Sequence, residues 1–248
     1  MNSPSTILYF TSSFPNHGKL CGFLKNVDPA VVKYVEVGFP SSDPRYDGPE
    51  IKETHEIAEK NFQSDHLEQY ADILGKKGVR TYLLTYYRDL ARQSSDFIPH
   101  LSDSGFSGVI VPDLLVDYSA IASDVITRIQ GSLDFIPFFN PATPDGVIER
   151  ISRMTESWIY YGLQPATGIR IPYDLEEVSR RIIELLPGRE VNFGFGIRSM
   201  DQIGRIMDLG SKGVALGTLL VPMVRKNRLD DFVELQEQIR EVQDHVKG

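Results

Sequence analysis

The sequence predicts one α/β domain over residues 1–248, a (β/α)8 or TIM barrel. Three observations carry that expectation. Eight short apolar runs alternate with longer amphipathic stretches, no Pro/Gly/Ser-rich linker divides the chain, and 248 residues is an ordinary length for one such barrel. Runs such as Ile7-Leu8-Tyr9-Phe10, Tyr82-Leu83-Leu84-Thr85 and Gly108-Val109-Ile110-Val111 are apolar almost throughout. Parallel strands covered on both faces have that character, whereas half-exposed strands alternate.

Residues 6–11 and 33–38 form the first two strands. Residues 49–76 are long enough for two helices with a break near Gln63-Ser64-Asp65. Residues 80–85 give the third strand. The segment 89–104 then places Leu90, Phe97, Ile98 and Leu101 on one helical stripe. Residues 108–111, 135–139 and 158–161 are the fourth, fifth and sixth strands. Val178, Ile182, Ile183 and Leu186 recur at helical spacing over residues 174–186. Residues 191–193 and 213–216 complete the eight strands, and an amphipathic helix over 229–246 closes the chain. An open doubly wound sheet would carry G-x-G-x-x-G after its first strand. Phe14-Pro15-Asn16-His17-Gly18 stands there instead. The G-x-G at Gly194-Phe195-Gly196 comes late and has Ser199 in place of the third glycine.

The formal net charge of −8 argues against nucleic acid as a general partner, because phosphate binding relies on basic surface. The single cysteine, Cys21, can form neither an internal disulfide nor a cysteine-based zinc site by itself. No apolar run approaches the roughly 20 residues of a membrane span. Met1 to Thr6 lack the basic and apolar segments of a signal peptide. A soluble, cytoplasmic protein is expected. The five histidines form no H-E-x-x-H pattern, so no metal site is expected. His55, His66 and His245 read as solvated, and His17 and His100 have no evident partner.

Functional groups of a barrel collect at the C-terminal ends of its strands. Glu36 lies within the apolar run Tyr34-Val35-Glu36-Val37-Gly38. There it is either paired in a structural ion pair or left poised for proton transfer by a raised pKa. Asp47 follows in a turn-rich stretch, Ser41 to Pro49, as a helix cap or as a second carboxylate with a separate role. Thr167-Gly168, Phe195-Gly196 and Gly217-Thr218 each follow one of the last three strands. Such turns converge on one rim and suit a phosphate held by backbone N–H groups. Tyr9, Tyr86 and one of Tyr160 or Tyr161 are positioned to line the mouth.

The run Glu36-Val37-Gly38-Phe39-Pro40-Ser41-Ser42-Asp43-Pro44-Arg45-Tyr46-Asp47-Gly48-Pro49 closely resembles the signature of the tryptophan synthase alpha chain family. The resemblance continues in order through Leu84-Thr85-Tyr86-Tyr87, Val111-Pro112-Asp113, Ala166-Thr167-Gly168, Gly194-Phe195-Gly196-Ile197 and Gly213 to Thr218. It implies a (β/α)8 barrel that cleaves indole-3-glycerol phosphate to indole and glyceraldehyde 3-phosphate in tryptophan biosynthesis.

By the same resemblance, Glu36 and Asp47 are catalytic. Glu36 takes the C3′ hydroxyl proton and passes a proton to indole C3, while Asp47 bonds the indole N–H. Gly168, Phe195, Gly196, Gly217 and Thr218 match phosphate-binding positions. Tyr9, Leu84, Tyr86, Pro112 and Tyr160 match the indole pocket, and Thr167 matches a loop threonine that helps position the aspartate. The resemblance also implies a beta chain partner carrying pyridoxal phosphate, with no cofactor in this chain. A free-standing indole-releasing lyase and a barrel that mainly regulates the beta chain are the alternatives. The chain departs from the common pattern in its short loop after Thr167-Gly168, in Gly162-Leu163-Gln164-Pro165, and in Asp113-Leu114-Leu115.

Overall fold

A computed structural model describes residues 4–164 and 174–246. Every apolar run expected to be a strand lies in one parallel sheet. The strands are β1 (Ser5–Thr11), β2 (Val32–Gly38), β3 (Arg80–Leu84), β4 (Phe106–Ile110) and β5 (Asp134–Ile136). They continue as β6 (Phe138–Phe139), β7 (Ile159–Gly162), β8 (Val191–Gly194) and β9 (Gly213–Leu216). Their order is β5-β4-β3-β2-β1-β9-β8-β7-β6.

Nine segments stand where eight strands are expected because Pro137 splits the fifth. Proline has no N–H for the ladder, so strand pairing lapses there. β5 pairs with β4, and β6 pairs with β7. The two ends of the sheet are therefore joined through Pro137, whose carbonyl accepts the Tyr160 N–H at 3.0 Å. The sheet closes into a barrel at this residue.

Helices follow most strands. The expected pair over 49–76 forms as Pro49–Ala58 and Asp65–Gly75. The stripe over 89–104 instead forms two short helices, Tyr87–Ala91 and Phe97–Asp103. Pro99 is the reason: within a continuous helix its ring would clash with the carbonyl of Ser95 and leave it without a donor. In the first turn of Phe97–Asp103 that missing N–H costs nothing. Asp174 caps Leu175–Leu185 by accepting the N–H groups of Glu176 and Glu177. Ser199 caps Met200–Asp208 by accepting that of Gln202, so the residue in the third-glycine place ends a loop and starts a helix. Leu229–Val246 forms as expected.

Alternation along the strands divides the core into two layers. Leu8, Val35, Val37, Leu83, Val109, Tyr161 and Phe193 pack outward against the helices. Ile7, Tyr34, Tyr82, Ile110, Ile136, Trp158 and Tyr160 fill the barrel. Tyr34 stacks on Trp158 at 5.3 Å and 8°, and Tyr82 meets the same indole edge-on. These rings plug the N-terminal half. Toward the C-terminal end, Gly38 and Gly194 leave the space that the Tyr9 and Tyr160 rings occupy; a Cβ on either glycine would collide with a ring. A cavity bordered by these two rings opens in that C-terminal half.

Candidate active site

Glu36 shares the inward parity of Tyr34 and Gly38, and its register partners are Tyr9 on β1 and Tyr82 on β3. It is fully buried, and neither carboxyl oxygen has a hydrogen-bond partner among the described residues. Among the described residues Glu36 forms no structural ion pair. Burial first, and the Asp47 charge second, push its pKa up to about 8. A buried group without partners costs several kcal/mol (roughly 2–7 for a neutral polar group). Such a carboxyl both takes and gives protons near neutral pH.

Asp47 sits in the loop between β2 and the helix Pro49–Ala58. Its N–H donates to the Pro44 carbonyl at 3.0 Å, closing the turn. It does not cap the helix, since Gly48 holds the cap position without a side-chain bond. Its Oδ2 accepts the Tyr86 hydroxyl at 2.8 Å and lies 3.3 Å from His55 Nε2. The Tyr9 hydroxyl lies 3.3 Å from the same His55 nitrogen and accepts from Thr11 Oγ1 at 3.3 Å. Burial and the nearby carboxylates raise the pKa of both Tyr9 and Tyr86, keeping both phenols protonated.

Glu36, Asp47 and Tyr9 border a cavity of about 430 Å³ at the C-terminal mouth. Of the sequence-expected residues, Tyr9, Glu36, Asp47, Leu84, Tyr160, Phe195, Gly196, Gly217 and Thr218 line it. Tyr160 faces inward and Tyr161 outward, which decides between the two. Tyr86 stands behind Asp47 as its hydrogen-bond donor. Pro112 is buried beyond the end of β4 and is not among the described lining residues. Thr167 and Gly168 lie outside the described residues.

Opposite the carboxylates, Phe195 (φ 57°) and Gly196 (φ 96°) are both left-handed. Glycine adopts that conformation without strain, and it turns the chain sharply after β8. Among the described lining residues there is no lysine or arginine. The turns and the Thr218 hydroxyl are the polar groups that this side of the cavity offers among the described residues.

Four contributors were not read from the sequence: Ile51, Ile197, Ala215 and His55. Ile51 and His55 are four residues apart on one helix and share its buried face. Ala215 has the inward parity of β9. The expectation of solvated histidines holds for His245 and fails for two others. His55 is 1% exposed and His66 7% exposed, the latter bonded to Ser13 Oγ at 2.8 Å. His17 stacks on His66 and meets the Tyr70 hydroxyl at 3.0 Å, and His100 pairs with Glu68 at 2.9 Å. Among the described residues no three or more His, Cys, Asp or Glu are grouped to hold a metal ion.

A family model described as tryptophan synthase alpha chain matches residues 1–247. The tryptophan synthase alpha chain of Sulfurisphaera tokodaii is 28% identical over 239 residues, covering 96% of this chain and 97% of that one. That of Saccharolobus solfataricus is 27% identical over 246 residues, with 97% of each covered. Among solved structures, tryptophan synthase of Mycobacterium tuberculosis superposes with a TM-score of 0.84 at 22% identity, covering 97% and 92%. A tryptophan synthase alpha-subunit of Pyrococcus furiosus gives 0.82 at 24%, covering 98% and 99%. The two structures show the shared fold.

Proposed function

The chain belongs to the tryptophan synthase alpha chain family, lyases acting on indole-3-glycerol phosphate, and from that premise we propose how its own residues carry out the cleavage. The observation that carries the reading is Glu36: a buried carboxyl with no hydrogen-bond partner among the described residues, facing the cavity that Asp47 also faces.

As the carboxylate, Glu36 takes the proton of the C3′ hydroxyl. The carboxyl so formed gives that proton to ring C3, which becomes tetrahedral while positive charge develops at the ring nitrogen. Asp47 accepts the ring N–H and stabilises that charge. The C3–C3′ bond then breaks. Its electron pair returns to the ring, and the C3′ oxygen becomes the aldehyde carbonyl. Acid–base groups suffice for this sequence. Tyr9, Leu84, Ile51 and Tyr160 offer the apolar walls that a planar indole fills, and the turns at Phe195-Gly196 and Gly217-Thr218 hold the phosphate. Thr167 and Gly168 are assigned to the positioning loop and the phosphate site on the sequence motif alone.

The whole chain, residues 1–248, acts as one unit in this reading. Its partner is a beta chain that consumes the indole, and pyridoxal phosphate belongs to that partner. No helix among the described residues is long and apolar enough to cross a membrane; the cytoplasm is the proposed location. Indole release from indole-3-glycerol phosphate by wild type and Glu36→Gln, each with and without a beta chain, tests the reading. Wild-type cleavage that the substitution abolishes and the partner enhances supports it. Cleavage by Glu36→Gln at the wild-type rate refutes the role of Glu36.

A further inference from the structure

His55 is a buried imidazole with both ring nitrogens engaged, and its two contacts fix its tautomer. Nδ1 accepts the backbone N–H of Ser41 at 3.1 Å. A backbone N–H only donates, so Nδ1 carries no proton and the ring hydrogen sits on Nε2. Ser41 is itself anchored, because its hydroxyl donates to Asp89 Oδ2. Nε2 then meets the Tyr9 hydroxyl oxygen at 3.3 Å as its hydrogen-bond partner, and Asp47 Oδ2 lies beside it at the same distance. Tyr86 donates to the same carboxylate oxygen. Asp47 Oδ1 has no hydrogen-bond partner among the described residues.

We infer that His55 is a positioning residue for Asp47, a role that rests on the reading of Asp47 as the acceptor of the indole N–H. The Tyr86 hydroxyl bonded to Oδ2 and the His55 Nε2–H packed 3.3 Å from it together fix the rotation of the carboxylate. Oδ1 is thereby left as the acceptor for substrate. The chain Asp89–Ser41–His55–Asp47 links the loop after β2 and the start of Tyr87–Ala91 to the charge that the reaction uses.

Two substitutions separate positioning from loop anchoring, because each keeps one ring nitrogen's function. The amide of His55→Gln reaches the Nε2 place and keeps a donor toward Asp47. The amide of His55→Asn reaches only the Nδ1 place and keeps an acceptor for Ser41. In the full chain, kcat and KM for indole release are measured for both, for Asp47→Asn, and for the His55→Asn/Asp47→Asn double variant. Positioning predicts that His55→Asn lowers kcat by about tenfold or more, the scale of a lost polar contact beside a charged group. KM stays within about twofold if that contact serves mainly the transition state. His55→Gln then recovers most of the loss, and His55→Asn adds nothing in the Asp47→Asn background.

A wild-type kcat in His55→Asn, or a loss in His55→Gln as large as in His55→Asn, overturns the role. If Asp47→Asn itself cleaves at the wild-type rate, the reading of Asp47 falls and this role falls with it. Nitrogen-15 NMR of the His55 ring in the wild-type chain supplies a test that needs no variant to fold. A proton on Nε2 supports the assignment, and a proton on Nδ1 overturns it.

Discussion

The Tyr86 hydroxyl donates to Asp47 Oδ2 at 2.8 Å, joining the residue that opens the helix after β3 to the loop after β2. Both groups are nearly inaccessible to solvent, at 2% and 7%. A hydrogen bond to a charged group is worth about 1.5–3 kcal/mol, so Tyr86→Phe removes stabilisation of the carboxylate on which the transition-state charge depends. The expected result is a fall in kcat of roughly tenfold to a hundredfold with the apolar walls and KM little changed. Steady-state kinetics of indole release check this; an unaltered kcat would separate Asp47 from the chemistry.

Gly196→Asp tests the phosphate side independently. Gly196 has φ 96°, and a Cβ there would press on the Gln164 side chain at 2.7 Å. The substitution adds strain, bulk and negative charge beside the turn that holds an anion. KM for indole-3-glycerol phosphate is expected to rise at least about tenfold, since one lost or repelled anion contact is worth about 1.5–3 kcal/mol. Affinity for inorganic phosphate, measured by calorimetry, weakens in parallel. An unchanged KM would place the phosphate elsewhere.

The raised pKa of Glu36 sets the pH dependence of the free enzyme. Cleavage starts from the carboxylate, so kcat/KM climbs with pH and levels off above a midpoint near 8. Below that midpoint the slope is about tenfold per pH unit, as for a single ionisation. A pH series on wild type checks it, and a profile flat from pH 6 to 9 would remove Glu36 as the base.

Much of this site was legible in the sequence. Glu36 shares parity with Tyr34 and Gly38, which fixes its inward direction once residues 33–38 are a strand. The glycine turns after the last strands were equally visible. Other features were not. Two are prolines whose effects depend on neighbouring backbone: Pro137 halves a strand and closes the barrel, and Pro99 divides a helix. Another is His55. Glu50, Lys52, Glu53 and Glu56 make its helix read as a solvated surface. Its burial arises only because the loop after β2 folds back and presents the Ser41 N–H and Asp47 to the ring. That long-range packing has no signature in helical periodicity. Tyr160 and Tyr161 are adjacent aromatics, and only the strand register separates the inward one from the outward one.

Glu36 also stores a stability cost that a neutral isostere releases. Its folded pKa of about 8 lies above the ordinary value of 4.5. Between those pH values the folded chain keeps a proton that the unfolded chain has lost, so stability falls as pH rises through the window. Each pH unit of that window costs about 1.4 kcal/mol. Glu36→Gln has no proton to lose and escapes the penalty. At pH 5 its melting temperature is expected to match wild type, because the folded wild-type carboxyl is then neutral too. At pH 8.5 the variant is expected to melt at least about 5 °C higher, given roughly 2–4 °C per kcal/mol for a chain of this size. The same substitution that abolishes cleavage thus stabilises the fold, the pattern expected of a group buried for chemistry and not for packing. Paired thermal melts across pH 5 to 9 decide the matter, and a difference independent of pH would show that the Glu36 carboxyl titrates normally in the folded chain.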